Sequence, residues 1–95
     1  MHAVCRWYSG EGASQLFDEL ERRRSEVETL IRGVTGLVSY SLVRMPAGGL
    51  SVTVCQDKSG TDESVRIAAD WIKQNISTST SPPQVSEGDV ILQLN

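Results

Sequence analysis

Leu50-Ser-Val-Thr-Val-Cys55, followed by Gln56-Asp-Lys-Ser-Gly60 and then by the run from Thr61 to Ile76, is the stretch on which the fold is read. From Ser51 to Cys55 small polar and apolar side chains alternate, the period of a strand whose two faces meet different surroundings. Asp57-Lys-Ser-Gly60 breaks that strand. Ser59 or Thr61 is placed to cap a helix, and Asp62 and Glu63 put negative charge at its positive end. Val65, Ala68, Ala69, Ile72 and Ile76 fall on one side of a 3.6-residue spiral, while Arg66, Asp70, Lys73 and Gln74 take the other, so this helix lies on a sheet. Ser64, Ala68, Trp71 and Asn75 form a second line along its flank, a candidate wall for a ligand.

Working outward, His2 to Tyr8 reads as a first strand, with Ala3, Cys5 and Trp7 on one face and Val4, Arg6 and Tyr8 on the other. Ser9-Gly-Glu-Gly12 ends it. A long first helix is expected from Ala13 or Ser14, with Leu16, Phe17, Leu20, Val27, Leu30 and Ile31 at helical spacing and Gly33 as its stop. Glu19 with Arg23, Arg22 with Glu26 and Arg24 with Glu28 are each four apart, so the arginine run reads as a solvated, charge-paired face. Gly36 opens a strand from Leu37 to Arg44 on which Val38, Tyr40 and Leu42 oppose Leu37, Ser39, Ser41 and Val43. Met45-Pro-Ala-Gly-Gly49 joins it to Leu50–Cys55 as a hairpin. Ser77-Thr-Ser-Thr-Ser-Pro-Pro83 is a loop. Gln84 to Leu94 is expected as the last strand, with Gly88 in a bulge or kink.

Strand, helix, strand, strand, helix, strand is the ferredoxin-like βαββαβ order, an α+β fold in which one four-stranded antiparallel sheet carries two helices on one face. A single domain of 95 residues buries only roughly 60–65% of the surface it exposes when unfolded. The strands carry large side chains on both faces, so a homodimer packed through the sheet face is expected. Nine basic against twelve acidic residues give a net charge of −3 with no basic stripe, which argues against nucleic acid. No apolar run reaches a membrane span, and the N-terminus lacks the layout of a signal peptide, so the expected address is the cytoplasm. Cys5 and Cys55 have no metal or redox spacing and are expected as free thiols, close to each other on neighbouring strands. No metal and no cofactor is expected.

Gly36-Leu-Val-Ser-Tyr40, Gly49-Leu-Ser-Val-Thr-Val54 with Asp57-Lys-Ser-Gly60, Ala68-Ala-Asp-Trp71 and Val85-Ser-Glu-Gly88 together resemble the antibiotic biosynthesis monooxygenase-like family of dimeric α+β barrels. The resemblance spans nearly the whole chain. It implies a dimeric barrel that binds a small molecule between helices and sheet. Family members include cofactor-free monooxygenases of polycyclic aromatic substrates, haem-degrading enzymes and proteins with no assigned activity. Haem-degrading members carry an asparagine in the first strand and a histidine along the second helix. Here the first strand has Arg6 and Trp7, and the sole histidine, His2, is expected at a frayed, exposed terminus.

The candidate ligand-binding residues are Trp71, Ser64, Asn75, Tyr40 and Arg6. Trp71 would form the rim of a pocket between the second helix and the sheet, with Ser64 and Asn75 as polar edges. The leading expectation is a small-molecule-binding homodimer with an aromatic ligand. A cofactor-independent monooxygenase acting on an aromatic or quinol-like metabolite, and a stress or regulatory interaction protein, are the alternatives.

Overall fold

The computed structural model describes all residues from Met1 to Asn95. In chain order the elements are β1 (His2–Ser9), α1 (Ala13–Arg22), α2 (Arg24–Arg32), β2 (Leu37–Met45), β3 (Gly48–Cys55), α3 (Lys58–Asn75) and β4 (Gln84–Asp89). The strands form one antiparallel sheet in the order β2-β3-β1-β4, the ferredoxin-like arrangement. The central pair, β1 and β3, is in register with Val4 opposite Thr53, Arg6 opposite Ser51 and Tyr8 opposite Gly49. Because side chains alternate, this register puts all of those residues on the helix-covered face, and Ala3, Cys5, Trp7, Leu50, Val52 and Val54 on the open one.

The core lies between α1, α2 and this covered face. Leu16, Phe17, Leu20, Val27 and Ile31 pack with Tyr8, Ala13 and Ile76, and Leu37, Leu42 and Ile72 close round them. The Tyr8 and Phe17 rings meet edge to face at 6.0 Å. Gly49 makes room for that pair, since a Cβ there would stand 2.5 Å from the Phe17 ring.

The structure departs from the sequence reading at several points. The long first helix is two helices, broken at Arg23, whose φ of −109° and ψ of 28° leave helical geometry for one residue. The apolar period runs through the break unchanged, so the pattern alone does not reveal it. Asp57, not Ser59 or Thr61, caps α3, its carboxylate accepting from the Gly60 N–H. The irregularity expected at Gly88 is in β2 instead. A bulge between Leu37 and Ser39 turns Leu37 onto the same face as Tyr40 and Leu42, packed against the core with them. The last strand stops at Asp89, after which Val90–Asn95 leaves the ladder and Ile91 stands 97% exposed.

His2 is not frayed. It is buried, its Nδ1 2.8 Å from Thr61 Oγ1 and its Nε2 3.4 Å from Glu87 Oε1, so it ties β1 to α3 and β4. The two thiols are free and stand on opposite faces of the sheet, because Cys5 pairs with Val52 while Cys55 pairs with His2. The ion pairs of the first helical region also differ from the expected i,i+4 set. Arg22 meets Glu19, Arg23 meets Glu26 and Arg32 meets Glu28.

Leu16 is fully buried at the centre of the core. Its replacement by alanine is expected to lower stability by about 2–5 kcal/mol, read from the denaturant midpoint.

Candidate functional site

Arg6 from β1, Tyr40 from β2 and Ser51 from β3 come together under the helices because all three occupy inward positions of the central sheet. The helices return Leu20, Val27, Ile31, Trp71 and Ile72 over them, closing a cavity of about 20 Å³. That is the size of a single water molecule. Its surface is almost wholly apolar, and Arg6, Ser51 and the two tyrosines border it from the sheet side beside Leu42.

The electrostatics of the polar floor are unusual for a sheet core. Arg6 is 4% exposed and forms no ion pair within the chain; one terminal nitrogen donates to the Tyr8 hydroxyl at 3.2 Å, and its Nε has no protein partner. The hydroxyls of Ser51 and Thr53, on the adjoining strand, are also buried without protein partners. Burial pushes the Tyr40 phenol above its ordinary value, opposed in part by the Arg6 charge beside it. Tyr40 is therefore a neutral donor at physiological pH.

Two surface grooves flank the cavity. One, of about 420 Å³, runs between α2 and the outer edge of β2 and shares Val27, Ile31, Tyr40 and Leu42 with it. The other, of about 190 Å³, runs between α3 and the segment at Thr80–Pro83, shares Arg6, Tyr8 and Ile72, and has Lys73 at its margin. Side-chain movement at Ile72 or Tyr40 would join either groove to the chamber.

Of the five residues singled out in the sequence, the structure brings Arg6, Tyr40 and Trp71 to this cavity. Ser64 is fully buried one helical turn and more away, its hydroxyl donating to the Thr61 carbonyl at 2.7 Å, and it does not border the chamber. Asn75 is on the outside, its side-chain amide donating to the Trp71 carbonyl at 2.9 Å. The flank of α3 thus contributes its two middle members, Ala68 and Trp71, and not its polar ends. Ser51 is the residue the sequence reading missed. Its place opposite Arg6 follows from the β1–β3 register, and a hydroxyl side chain at an inward position of a central strand, where a core takes an apolar one, was the available signal. No three histidine, cysteine, aspartate or glutamate side chains converge as a metal site.

Trp71 is held in place from outside. The Arg23 guanidinium lies 5.1 Å from its ring centroid, donates to the Asn75 carbonyl at 2.9 Å and forms a two-pronged pair with Glu26 at 2.8 and 2.9 Å. The helix break at Arg23 is thus clamped to the C-terminus of α3.

The ferredoxin-like sheet with its helices on one face is the antibiotic biosynthesis monooxygenase-like fold. Solved structures bear this out. A protein of unknown function from Nitrosomonas europaea superposes with a TM-score of 0.72 at 14% identity, over 99% of this chain and 91% of that one. The ActVA-Orf6 monooxygenase of Streptomyces coelicolor, in complex with nanaomycin D, superposes with a TM-score of 0.66 at 14% identity, over 99% and 89% of the two chains. SnoaB, a cofactor-independent oxygenase from Streptomyces nogalater, gives 0.59 at 12% identity over 98% and 94%. No family model and no curated protein matches the chain. The chain has the antibiotic biosynthesis monooxygenase-like fold, and the likeness at these identities is one of fold.

Replacing Arg23 with alanine removes both the stacking on Trp71 and the tie to Asn75. In a Trp7→Phe background the emission of Trp71 is expected to move to longer wavelength as the ring gains water. An unchanged spectrum would mean that the indole is held by the core alone.

Proposed function

We propose that this chain is a homodimeric small-molecule-binding protein whose ligand, an aromatic metabolite, lies between the helices and the sheet against Trp71. The observation that carries the reading is the polar floor of Arg6, Tyr40 and Ser51 enclosed by apolar side chains, a small set of orienting groups in an otherwise apolar chamber. Solved relatives in fold include one in complex with nanaomycin D, which fits a chamber of this kind. The test is titration with a panel of phenols, quinols and polyketide-like aromatics, followed by tryptophan emission. Quenching is expected in Trp7→Phe and lost in Trp71→Phe. Quenching that survives in Trp71→Phe would place the ligand elsewhere.

A second reading, a cofactor-independent monooxygenase of aromatic or quinol-like metabolites, is favoured by the same floor. Such chemistry needs a dry site and donors that stabilise an enolate or phenolate from which an electron passes to oxygen. Arg6 and the neutral Tyr40 phenol are groups of that kind. Oxygen uptake with the quinols of the panel separates the readings, because binding without uptake leaves a carrier or sensor.

The dimer is assigned to the open sheet face. Trp7, Val43 and Met45 stand about two-fifths exposed there, beside Cys5 and Val52, and no helix of the chain crosses that face. Of the two faces of β2, the one with Tyr40 and Leu42 points into the core, which leaves Val43 and Met45 for a partner. A two-fold pairing uses the same apolar patch twice and leaves none exposed. Trp7→Asp is expected to shift the mass in light scattering from twice the chain toward the single chain. A parent protein that is monomeric at high concentration would end this assignment. Free thiols on opposite faces suit a reducing, cytoplasmic setting. No helix is long and apolar enough to cross a membrane.

A further inference from the structure

We infer that the ligand of this chamber is an anion, an apolar ring system bearing a carboxylate or an equally acidic oxygen, and that Arg6 is the residue that selects it. The inference rests on the chamber being a ligand site, as proposed above, and goes on to the charge of what fills it.

Arg6 is the starting point because its position is costly. A guanidinium does not give up its proton in a protein, so burial cannot be relieved by neutralisation as it is for lysine or histidine. A buried cation is normally answered by a carboxylate. Here none answers it, as the ion pairs of the chain leave Arg6 out. The acidic side chain on the neighbouring strand and the same face, Glu87, is engaged by Lys58 at 3.2 Å and by His2 at 3.4 Å. What the fold gives Arg6 is a hydrogen bond of 3.2 Å to the Tyr8 hydroxyl and the Tyr40 phenol beside it, with Nε unpartnered and no carboxylate in reach.

The groups around it are those an anion requires. Ser51 sits directly across the strand pair from Arg6, buried, with its hydroxyl beside the Tyr40 phenol. Tyr40 borders the same cavity. Two hydroxyl donors and a guanidinium on a floor with no competing carboxylate form a site for a planar, negatively charged oxygen group. Above them Trp71, Leu20, Val27, Ile31 and Ile72 offer only apolar surface, which suits a ring and not a free inorganic anion. The groove leading to Arg6 and Tyr8 has Lys73 at its margin, so the approach favours negative charge as well.

The cavity as it stands is the size of one water molecule, so a ring enters by displacing Ile72 or Tyr40 toward the flanking grooves. A ligand that anchors on Arg6 offsets the desolvation of the cation at the moment of binding. Without it, that charge is a standing burden on stability.

The test uses one ring with three heads: 2-naphthoate, 2-naphthol and 2-naphthylmethylamine, titrated into the unaltered protein at neutral pH. Naphthoate is expected to bind about tenfold or more tightly than naphthol, and the amine not at all, since a charge-assisted pair is worth more than a neutral bond. Arg6→Met is expected to remove the preference for naphthoate while keeping naphthol, and to raise the thermal midpoint of the unliganded protein. Equal affinity for naphthoate and naphthol overturns the anion assignment and leaves the ring site standing. A preference for naphthoate that persists in Arg6→Met moves the selecting charge away from Arg6 and overturns the assignment too. Failure of every naphthyl probe to bind removes the ligand chamber itself, and the anion with it. The comparison of probes on the unaltered chain needs no variant to fold.

Discussion

The antiparallel register of β1 against β3 is the constraint on which the rest of the molecule depends. With Val4 opposite Thr53, Arg6 opposite Ser51 and Tyr8 opposite Gly49, every residue that builds either the core or the chamber floor from these strands faces the helices. A slip of β1 by one residue would turn Ala3, Cys5 and Trp7 under the helices and Arg6 and Tyr8 onto the open face. The Tyr8–Phe17 pair over Gly49 opposes that slip. The other inward positions of β3, Ser51, Thr53 and Cys55, all carry side chains, and at Gly49 a Cβ would already stand 2.5 Å from the Phe17 ring. Steric fit at one end of the strand pair thus fixes the electrostatics at its middle.

The order of elements and the two faces of β1 were legible in the sequence, because period-two alternation survives in a strand that pairs on both sides. Hairpin pairing of β2 and β3 was legible from its Pro/Gly loop. The bulge at Leu37/Ser39 was not, since an extra residue shifts the alternation without changing any residue type. Likewise the break at Arg23 preserves the phase of Leu16, Leu20, Val27 and Ile31, so helical periodicity is blind to it. The burial of His2 depends on Thr61 and Glu87, distant in sequence, and on the β1–β4 ladder that carries Glu87 past it. Tertiary partners of this sort leave no local mark.

At the candidate site the residue types announced themselves and the geometry did not. Arg6, Tyr40 and Trp71 stood out as polar or amphipathic groups on otherwise apolar faces, and the fold gathers them. Ser64 and Asn75 shared a helical flank with Trp71, but that flank spans about three turns while the chamber touches only its middle, at Ala68 and Trp71. Ser64 lies where α3 packs directly on the sheet, and Asn75 where α3 meets Arg23. A helical stripe therefore predicts which way side chains lean, not how much of the stripe is used.

The covered face of this sheet is divided between two tasks. Toward the start of α1 it is closed by Tyr8, Phe17 and Leu16, a tightly fitted apolar patch. Toward the middle it carries Arg6, Ser51 and Thr53, where a sheet built only for stability would carry Val, Ile or Leu. Each buried hydroxyl without a partner costs about 1–3 kcal/mol, and a buried unpaired guanidinium more than either. A domain of this size has a stability of only about 5–15 kcal/mol in all, so three such groups side by side are not an incidental feature of packing. Sequences depart from local rules of this kind at functional sites and offset the loss elsewhere in the fold. Here the offset comes from the aromatic patch at one end and from the His2, Thr61, Glu87 and Lys58 cluster at the other, which together hold the strands in register across the polar floor between them.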